Sequence, residues 1–421
     1  MRRRRASLAC VAVAICAAGC GAKTGLDVPD ATRNRDGAVD AGPDAERPCL
    51  EVPLDGGPIE LPLDTRAELG RADVFFLVDV TGSMSEEIDT IRNRVQGQIV
   101  PGIDEAIPDV EIGVGFFADF ADGEAIYGES GDVPFQLLQP MTDDVLAVQA
   151  AVDRLPLLNG ADAPESQVEA LYQTATGAGL PPFVDRAPGC PRGGVGYPCF
   201  RRDALPIVLL FTDERFHNGP MASEEYRPDL LLPAVPHTYE QARAALVELG
   251  VRVIGFDSGP GTARRDLQQI SSDTNTFGED GRPLYYDIGQ RGQTLDTSVV
   301  AAIRTLANTV RFDVDAIAVD LPGDDIDATE LVDAIRPSRA EPASGVASID
   351  EMAFRVVVPG TRVVFLLVLR NDVVMPGPRP QIVPVRVVFR GDGRTRIAAV
   401  DVDILIPAAD GSGTCGESRT R

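Results

Sequence analysis

The sequence is poor in cations and in soft metal ligands. Of its 421 residues, 39 are Lys or Arg against 64 Asp or Glu, a formal net charge of −25. Lys occurs once, as Lys23, a scarcity that reads as genome bias rather than function. So acidic a surface repels nucleic acid and anionic lipid headgroups, and it suits cation binding and solubility. There are two His, His217 and His237, and no C-x-x-C pair. That makes zinc a poor reading and leaves Cys/His catalysis without its parts. No nucleophile–base pair stands out, so an enzyme is not expected. A metal-dependent hydrolase stays open only on its oxygen ligands, with no residue to name as its base. Gly21-Ala-Lys23-Thr24 lacks the Gly that precedes Lys in a phosphate loop, and neither Gly113-Val-Gly115 nor Gly259-Pro-Gly261 is a dinucleotide fingerprint. Trp is absent, yet a hydrophobic content of 44% is enough for sizeable cores, and the length suggests two or three domains.

Beyond the N-terminus no apolar stretch reaches the length of a transmembrane helix. Residues 1–19 read as a secretion signal, with basic Arg2 to Arg5 followed by an apolar core from Leu8 to Ala18. They hold four Arg and no acid, so their removal takes the charge from −25 to −29. Ala17-Ala-Gly-Cys20 resembles a bacterial lipobox, departing from it in having Ala17 where Leu is common. Cys20 would be the acylated first residue, a lipid anchor to the membrane. Gly21 after it is no inner-membrane retention signal, which points to the outer membrane or cell surface. The alternative is an ordinary cleaved signal ending near Ala18. Residues 20–48, rich in Asp, Pro, Gly and Ala, cannot bury a core and read as a disordered tether. Cys49, Cys190, Cys199 and Cys415 then remain, and four cysteines in an oxidising compartment read as two disulfides. Of the three pairings, Cys190–Cys199 closes a short Pro/Gly-rich loop and Cys49–Cys415 ties the two ends of the folded region, and these are favoured.

From Arg71 the pattern alternates strand and helix, which implies a doubly wound parallel α/β sheet over 71–311. Val74 to Val78 is an unbroken apolar run, as a strand buried on both faces reads. It ends in Asp79, Thr81 and Ser83 at alternating positions, then Ser85-Glu86-Glu87 opens a helical pattern. Ile88, Ile91, Val95 and Ile99 continue it at helical spacing, with Pro101-Gly102 as the expected stop. Leu205 to Phe211 is a second all-apolar strand and also ends in hydroxyl then acid, Thr212-Asp213. Between them lies Asn159-Gly-Ala-Asp162-Ala-Pro164-Glu165. In such a sheet the carboxyl ends of neighbouring strands share one edge, where these oxygen ligands can meet around a hard cation. Residues 177–204 form a long loop rich in Pro, Gly and Arg, expected to supply specificity. After Arg311 helical periodicity is scarce, and five strands are expected between Phe312 and Ile406. With 49–70 they would make a β-sandwich of 49–70 plus 312–415, into which the α/β domain is inserted.

The segments Asp79-x-Thr81-x-Ser83-Met84, Gly113-Val-Gly-Phe-Phe-Ala-Asp119, Asp162-x-Pro164-Glu165 and Thr212-Asp213-x-x-Phe216-His217 resemble, in order and context, the von Willebrand factor A (vWA) domain of integrin β subunits. The resemblance covers about 71–311, and insertion into a hybrid-like β-sandwich is part of it. It implies a metal-ion-dependent adhesion site. Thr81, Ser83 and Glu165 would bind a central Mg²⁺ (or Ca²⁺ or Mn²⁺) directly, with Asp79 and Asp213 acting largely through water. One coordination position would stay open for a carboxylate from a protein or glycan partner. It also implies flanking ions. One would lie near Asp119, Asp162, the Pro164 carbonyl and Glu165, although this chain has Gly160 where the family has Asn. The other would lie at Glu86 and Glu87, where the family has Asp and where acids in a first helical turn need no metal. Phe216 and His217 are expected to pack near the site rather than bind metal. The expected function is a surface, metal-dependent adhesion-type lipoprotein. The alternative is a structural protein of envelope assembly whose ions serve folding alone.

Overall fold

The computed structural model describes residues 47–54 and 56–415. The signal segment, the Cys20 anchor site and the tether to residue 46 lie outside the described residues, as does Asp55. Among the described residues no helix is long and apolar enough to cross a membrane.

Two strands open the chain, β1 (Cys49–Glu51) and β2 (Ile59–Arg66). Next come β3 (Arg71–Asp79), β4 (Asp109–Phe117), β5 (Gln136–Thr142), β6 (Leu205–Thr212), β7 (Arg252–Asp257) and β8 (Tyr285–Asp287). These six form one sheet in the order β5-β4-β3-β6-β7-β8, with β5 alone antiparallel. The chain winds outward from β3 through β4 and β5, then returns to the other side of β3 with β6. The reversal falls between β3 and β6. At such a switch point the two connections leave in opposite directions, and a crevice opens beyond the strands' carboxyl ends.

The helices are α1 (Ser85–Arg94), α2 (Val100–Ala106), α3 (Val145–Val152), α4 (Gln167–Thr176), the single turn α5 (Pro228–Leu231), α6 (Tyr239–Leu249), α7 (Arg264–Asp273) and α8 (Leu295–Thr309). Strand side chains alternate between faces. Val74, Phe76 and Val78 of β3 meet Ile88, Ile103, Val148 and Val299 from α1, α2, α3 and α8. Phe75 and Leu77 meet Leu171, Leu246 and Leu267 from α4, α6 and α7. Helices on both faces explain why β3 and β6 read as unbroken apolar runs. Pro101 does not stop the first helix. Val95–Ile99 forms a π turn, and the chain continues helical through α2, with Pro101 in its first turn. The π turn breaks the regular amide ladder just ahead of Pro101, so the proline falls where its missing N–H is not needed.

The remaining strands are β9 (Phe312–Asp320), β10 (Val332–Glu341), β11 (Ser348–Ile349), β12 (Ala353–Val357), β13 (Arg362–Leu369), β14 (Gln381–Gly391) and β15 (Thr395–Ile406). They form a six-stranded sheet β1-β15-β14-β9-β12-β11 and a three-stranded sheet β10-β13-β2. The sheets face each other through Phe365 of β13, whose ring lies 5.0 Å from Phe354 and 5.6 Å from Phe389. β1 and β2 thus pair with β15 and β13, although the whole α/β segment separates them in sequence. Cys49 and Cys415 are disulfide-bonded, as are Cys190 and Cys199. Two strands beyond the expected five appear, β10 and β11. β10 is an edge strand with one buried residue, Ala340, and it carries Asp333, Arg336, Pro337 and Arg339. It offers neither an alternating nor a continuous apolar pattern.

The amino-terminal edge of the parallel sheet carries a closed ionic network. Arg201 donates from Nε to Asp73 Oδ1 (2.7 Å) and from Nη1 to Asp109 Oδ1 (2.6 Å). Arg71 pairs with Asp109 and Asp203, and the Arg396 amide donates to the Asp203 carbonyl (2.8 Å), tying this edge to β15. The disulfide-closed tip of the 177–204 loop lies here too. Met141 N donates to Pro198 O (2.8 Å), and Arg192 lies 3.3 Å from Glu111 near the start of β4. The loop expected to supply specificity therefore has its tip at the amino edge.

Candidate metal centre

β3 delivers Asp79, fully buried, to the switch point. Its Oδ1 accepts from the Thr81 amide (3.0 Å) and the Thr81 hydroxyl (2.7 Å). These two bonds fold the chain sharply after the strand. Its Oδ2 accepts from the Thr212 hydroxyl at the tip of β6 (2.7 Å). Gln167, at the start of α4, in turn donates to Thr212 Oγ1 (2.9 Å). One carboxylate thus locks the two strands that flank the switch point. Spending its hydrogen on Asp79 leaves the Thr81 oxygen its lone pairs. Ser83 lies two residues beyond Thr81, close enough to Asp213, which follows Thr212, to lower its carboxyl against the rise that burial gives it.

Glu165 comes from the third segment. Its amide donates to Arg215 O (3.0 Å) and its carbonyl accepts from His217 N (2.8 Å), so it is strapped to the loop after β6. Gly160 passes directly over the site. A Cβ there would fall 2.9 Å from Glu165 Oε1 and 3.4 Å from Thr81 Cγ2, and its φ of +70° favours glycine as well. The Gly160 amide donates to Asp132 Oδ2 (3.0 Å), while Asn159 turns its side chain to Glu129 (2.8 Å). No asparagine replaces the family's ligand at this point.

Thr81, Ser83, Glu165, Asp79 and Asp213 are therefore brought to one crevice, and their charges are left open. Glu165 Oε2, Asp213 Oδ1 and both Glu87 oxygens are buried without a hydrogen-bond partner. Among the described residues no arginine ion-pairs with Asp79, Glu87, Glu165 or Asp213. Burial, reinforced by Asp79, Asp119, Asp162 and Asp213, pushes the Glu165 carboxyl up to about 12. Burial foremost, then Asp213, pushes Asp79 up to about 7, and burial raises Glu87 to about 7. A charge out of water without a counter-ion costs several kcal/mol. Carboxylate and hydroxyl oxygens, with room for water or a further ligand, are the donor set that Mg²⁺ takes. The residues fit such an ion.

The flanking positions separate. Asp119, at the end of β4, meets Asp162 and His217, whose ligand atoms lie within 4.8 Å of one another. His217 packs near the site as expected, stacked 4.1 Å from the Tyr226 ring, and its Nε2 lies 3.1 Å from Asp162 Oδ2. Glu86 is at the surface, 3.6 Å from Arg291, whereas Glu87 is buried beneath Gly292. Successive helix residues diverge by about 100°, which is why these two acids do not share one environment. Thr212, Gln167, Asp132 and Tyr226 also shape the site and carried no motif of their own. Only Thr212, a hydroxyl ending an apolar strand as Thr81 follows one, left a signal in the sequence.

No protein-family model and no curated protein matches the chain. Among solved structures it is similar to a von Willebrand factor type A protein from Catenulispora acidiphila, with 12% identity and a TM-score of 0.36 over 86% of this chain and 72% of that one. It is also similar to proximal thread matrix protein 1 from the mussel byssus (16%, TM-score 0.35, 61% and 51%). A third similarity is to the pilus adhesin SpaC from Lactobacillus rhamnosus GG in its open conformation (14%, TM-score 0.33, 84% and 45%). The chain spans about half the length of the mussel and pilus proteins.

Proposed function

We propose that this chain is an integrin-β-like vWA protein of the cell envelope that binds a partner through a divalent metal. In this reading the α/β domain, 71–311, is inserted in a β-sandwich of 49–70 plus 312–415, and Cys20 carries a lipid anchor. Thr81, Ser83 and Glu165 would hold Mg²⁺, with Asp79 and Asp213 ordering the waters around it. When bound, the ion supplies a position that a carboxylate of a protein or glycan partner can fill. The chain's own part is to keep its ligands rigid. Asp79 fixes both strand tips, Gly160 admits close approach over Glu165, and Thr212 relays the hold of Gln167. Binding rather than turnover is the proposed role.

The observation that carries this reading is Glu165, whose Oε2 is buried with no donor in a crevice of acids. Calorimetric titration with Mg²⁺ and Ca²⁺ tests it, with Asp79→Ala and Glu165→Ala run beside the parent chain. Binding in the parent and loss in both variants is expected. Unchanged binding in the variants would move the ion elsewhere. Tight binding that no carboxylate-bearing ligand perturbs would favour a purely structural ion.

A further inference from the structure

We propose that the cleft between the α6–β7 turn and the β14–β15 turn binds a small oxyanion of the phosphate class on the guanidinium of Arg252. The inference does not rest on the metal reading, because this cleft lies at the amino edge of the parallel sheet and holds none of the residues of the acidic crevice.

The cleft has a volume of about 1020 Å³. Glu248 to Arg252 line it from the α/β side, and Asp392 to Thr395 line it from the sandwich side. Arg252 also lines a second cleft, of about 860 Å³, beside the end of α8 and the start of β9. It opens β7 and is only 8% exposed.

The hydrogen bonds of Arg252 all fall on one nitrogen. Nη1 donates to the carbonyls of Thr274 (3.1 Å) and Asn275 (2.8 Å), which closes the carboxyl end of α7. Nε is buried with no hydrogen-bond partner. Nη2 lies 3.7 Å from Asp392 Oδ2, beyond hydrogen-bond reach. Asp392 is half-exposed, and its Oδ1 is turned to the Asp313 amide (2.9 Å). Burial pulls the Arg252 guanidinium down, and Asp392 only partly restores it. Nε and Nη2 together form the edge by which an arginine holds a carboxylate or phosphate through two parallel bonds. Capping α7 therefore accounts for Nη1 and leaves that edge unmatched.

The surroundings add further cations. Arg202 Nε and Arg394 Nη1 line the same cleft and donate to main-chain carbonyls, Gly193 O (2.7 Å) and Glu248 O (2.6 Å). Among the described residues none of these three arginines is hydrogen-bonded to an acid. Two acids of the cleft are already held, Asp203 by Arg71 and Asp273 by the Tyr239 hydroxyl (2.9 Å). A phosphate has oxygens enough for the open edge and for the arginines around it. Asp392 swung onto that edge is the arrangement that would defeat the proposal.

The test is equilibrium dialysis of the full chain against labelled inorganic phosphate, in chloride buffer with chelator so that no metal ion takes part. One saturable equivalent is expected, competed by sulfate, with affinity at least about tenfold weaker in Arg252→Gln. Asp392→Asn tolerates the φ of +51° at this turn and removes the rival acid. It should bind phosphate about two- to fivefold more tightly. No saturable binding in the parent, or equal affinity in a folded Arg252→Gln, would overturn the proposal. Should Arg252→Gln misfold, Asp392→Asn decides alone, and equal or weaker binding there would overturn it. A phosphate monoester presents the same oxygens. Competition by glycerol phosphate would support an ester as the occupant, and failure to compete would support the free ion. Glu165→Ala disables only the metal reading and should leave phosphate binding unchanged.

Discussion

Both edges of the parallel sheet bury acids, and they treat them in opposite ways. At the amino edge Asp73 and Asp109 meet Arg201 and Arg71, and each acid has a cation from the chain itself. At the carboxyl edge Asp79, Glu165 and Asp213 meet only hydroxyls, amides and one another. Asp73, fully buried but held by Arg201, is pushed up by burial only to about 6. Glu165, comparably buried and unpaired, goes to about 12. Burial alone therefore does not set the difference. Arg201 lowers Asp73, whereas Asp79, Asp119, Asp162 and Asp213 add to the rise of Glu165.

The sharpest way to break the comparison is to make the amino edge resemble the carboxyl edge. Arg201→Ala leaves Asp73 buried without a counter-ion and should destabilise the chain by about 3–5 kcal/mol, read by denaturant unfolding. A loss under 1 kcal/mol would mean that the arginines are not what keeps this edge quiet. The converse is to supply the missing cation. At roughly 100 times its dissociation constant, Mg²⁺ should stabilise the parent chain by about 2.7 kcal/mol. Glu165→Gln should abolish that gain while changing the metal-free stability by less than about 1 kcal/mol, because the raised carboxyl is already neutral there. A Glu165→Gln chain that still responds fully to Mg²⁺ would place the ion outside this crevice.

The same contrast explains what the sequence made legible. The carboxyl edge was readable because its parts are local and repeated: an apolar strand, then Asp79, Thr81 and Ser83, and a second apolar strand ending in Thr212 and Asp213. Strand–helix alternation implied the sheet that brings them together. The amino edge left no such trace. Arg201 sits in a loop whose Pro, Gly and Arg content reads as a surface feature, and its partners Asp73 and Asp109 lie 128 and 92 residues away. Pairing at that separation is a property of the fold and has no local pattern. For the same reason His217 read as packing. Its contacts with Asp162 and Asp119 form only after three loops close. β10 was missed because an edge strand with little buried surface has no periodicity to show, and Pro101 misled because the π turn before it is invisible in the pattern of apolar residues.

The smallest expected effect is the most discriminating, because it gives the two edges different responses to pH. Carboxyls ordinarily titrate near 4. In metal-free protein burial pushes Asp79 and Glu87 up to about 7 and Glu165 up to about 12. Above pH 4 the folded chain thus holds protons that the unfolded chain has released. All three groups contribute fully below about pH 4; the contribution of Asp79 and Glu87 is lost as pH rises through 7, and that of Glu165 goes on falling across the whole window. A bound divalent ion keeps the same carboxylates ionised and removes that loss. The stability gained from saturating Mg²⁺ should therefore grow between pH 5 and pH 8, by up to about 1.4 kcal/mol per pH unit for each proton involved. At the amino edge, burial raises Asp109 but Arg201 and Arg71 outweigh it and hold it below the ordinary range. Its contribution fades only as pH falls below 4, outside this window. Asp73 does titrate inside the window, but equally with and without Mg²⁺, so it cancels from the difference. Unfolding curves in Mg²⁺ and in chelator, taken across the window, give that difference directly. A gain flat in pH would mean that the carboxyl edge is ionised without metal, and the cation would not be what it lacks.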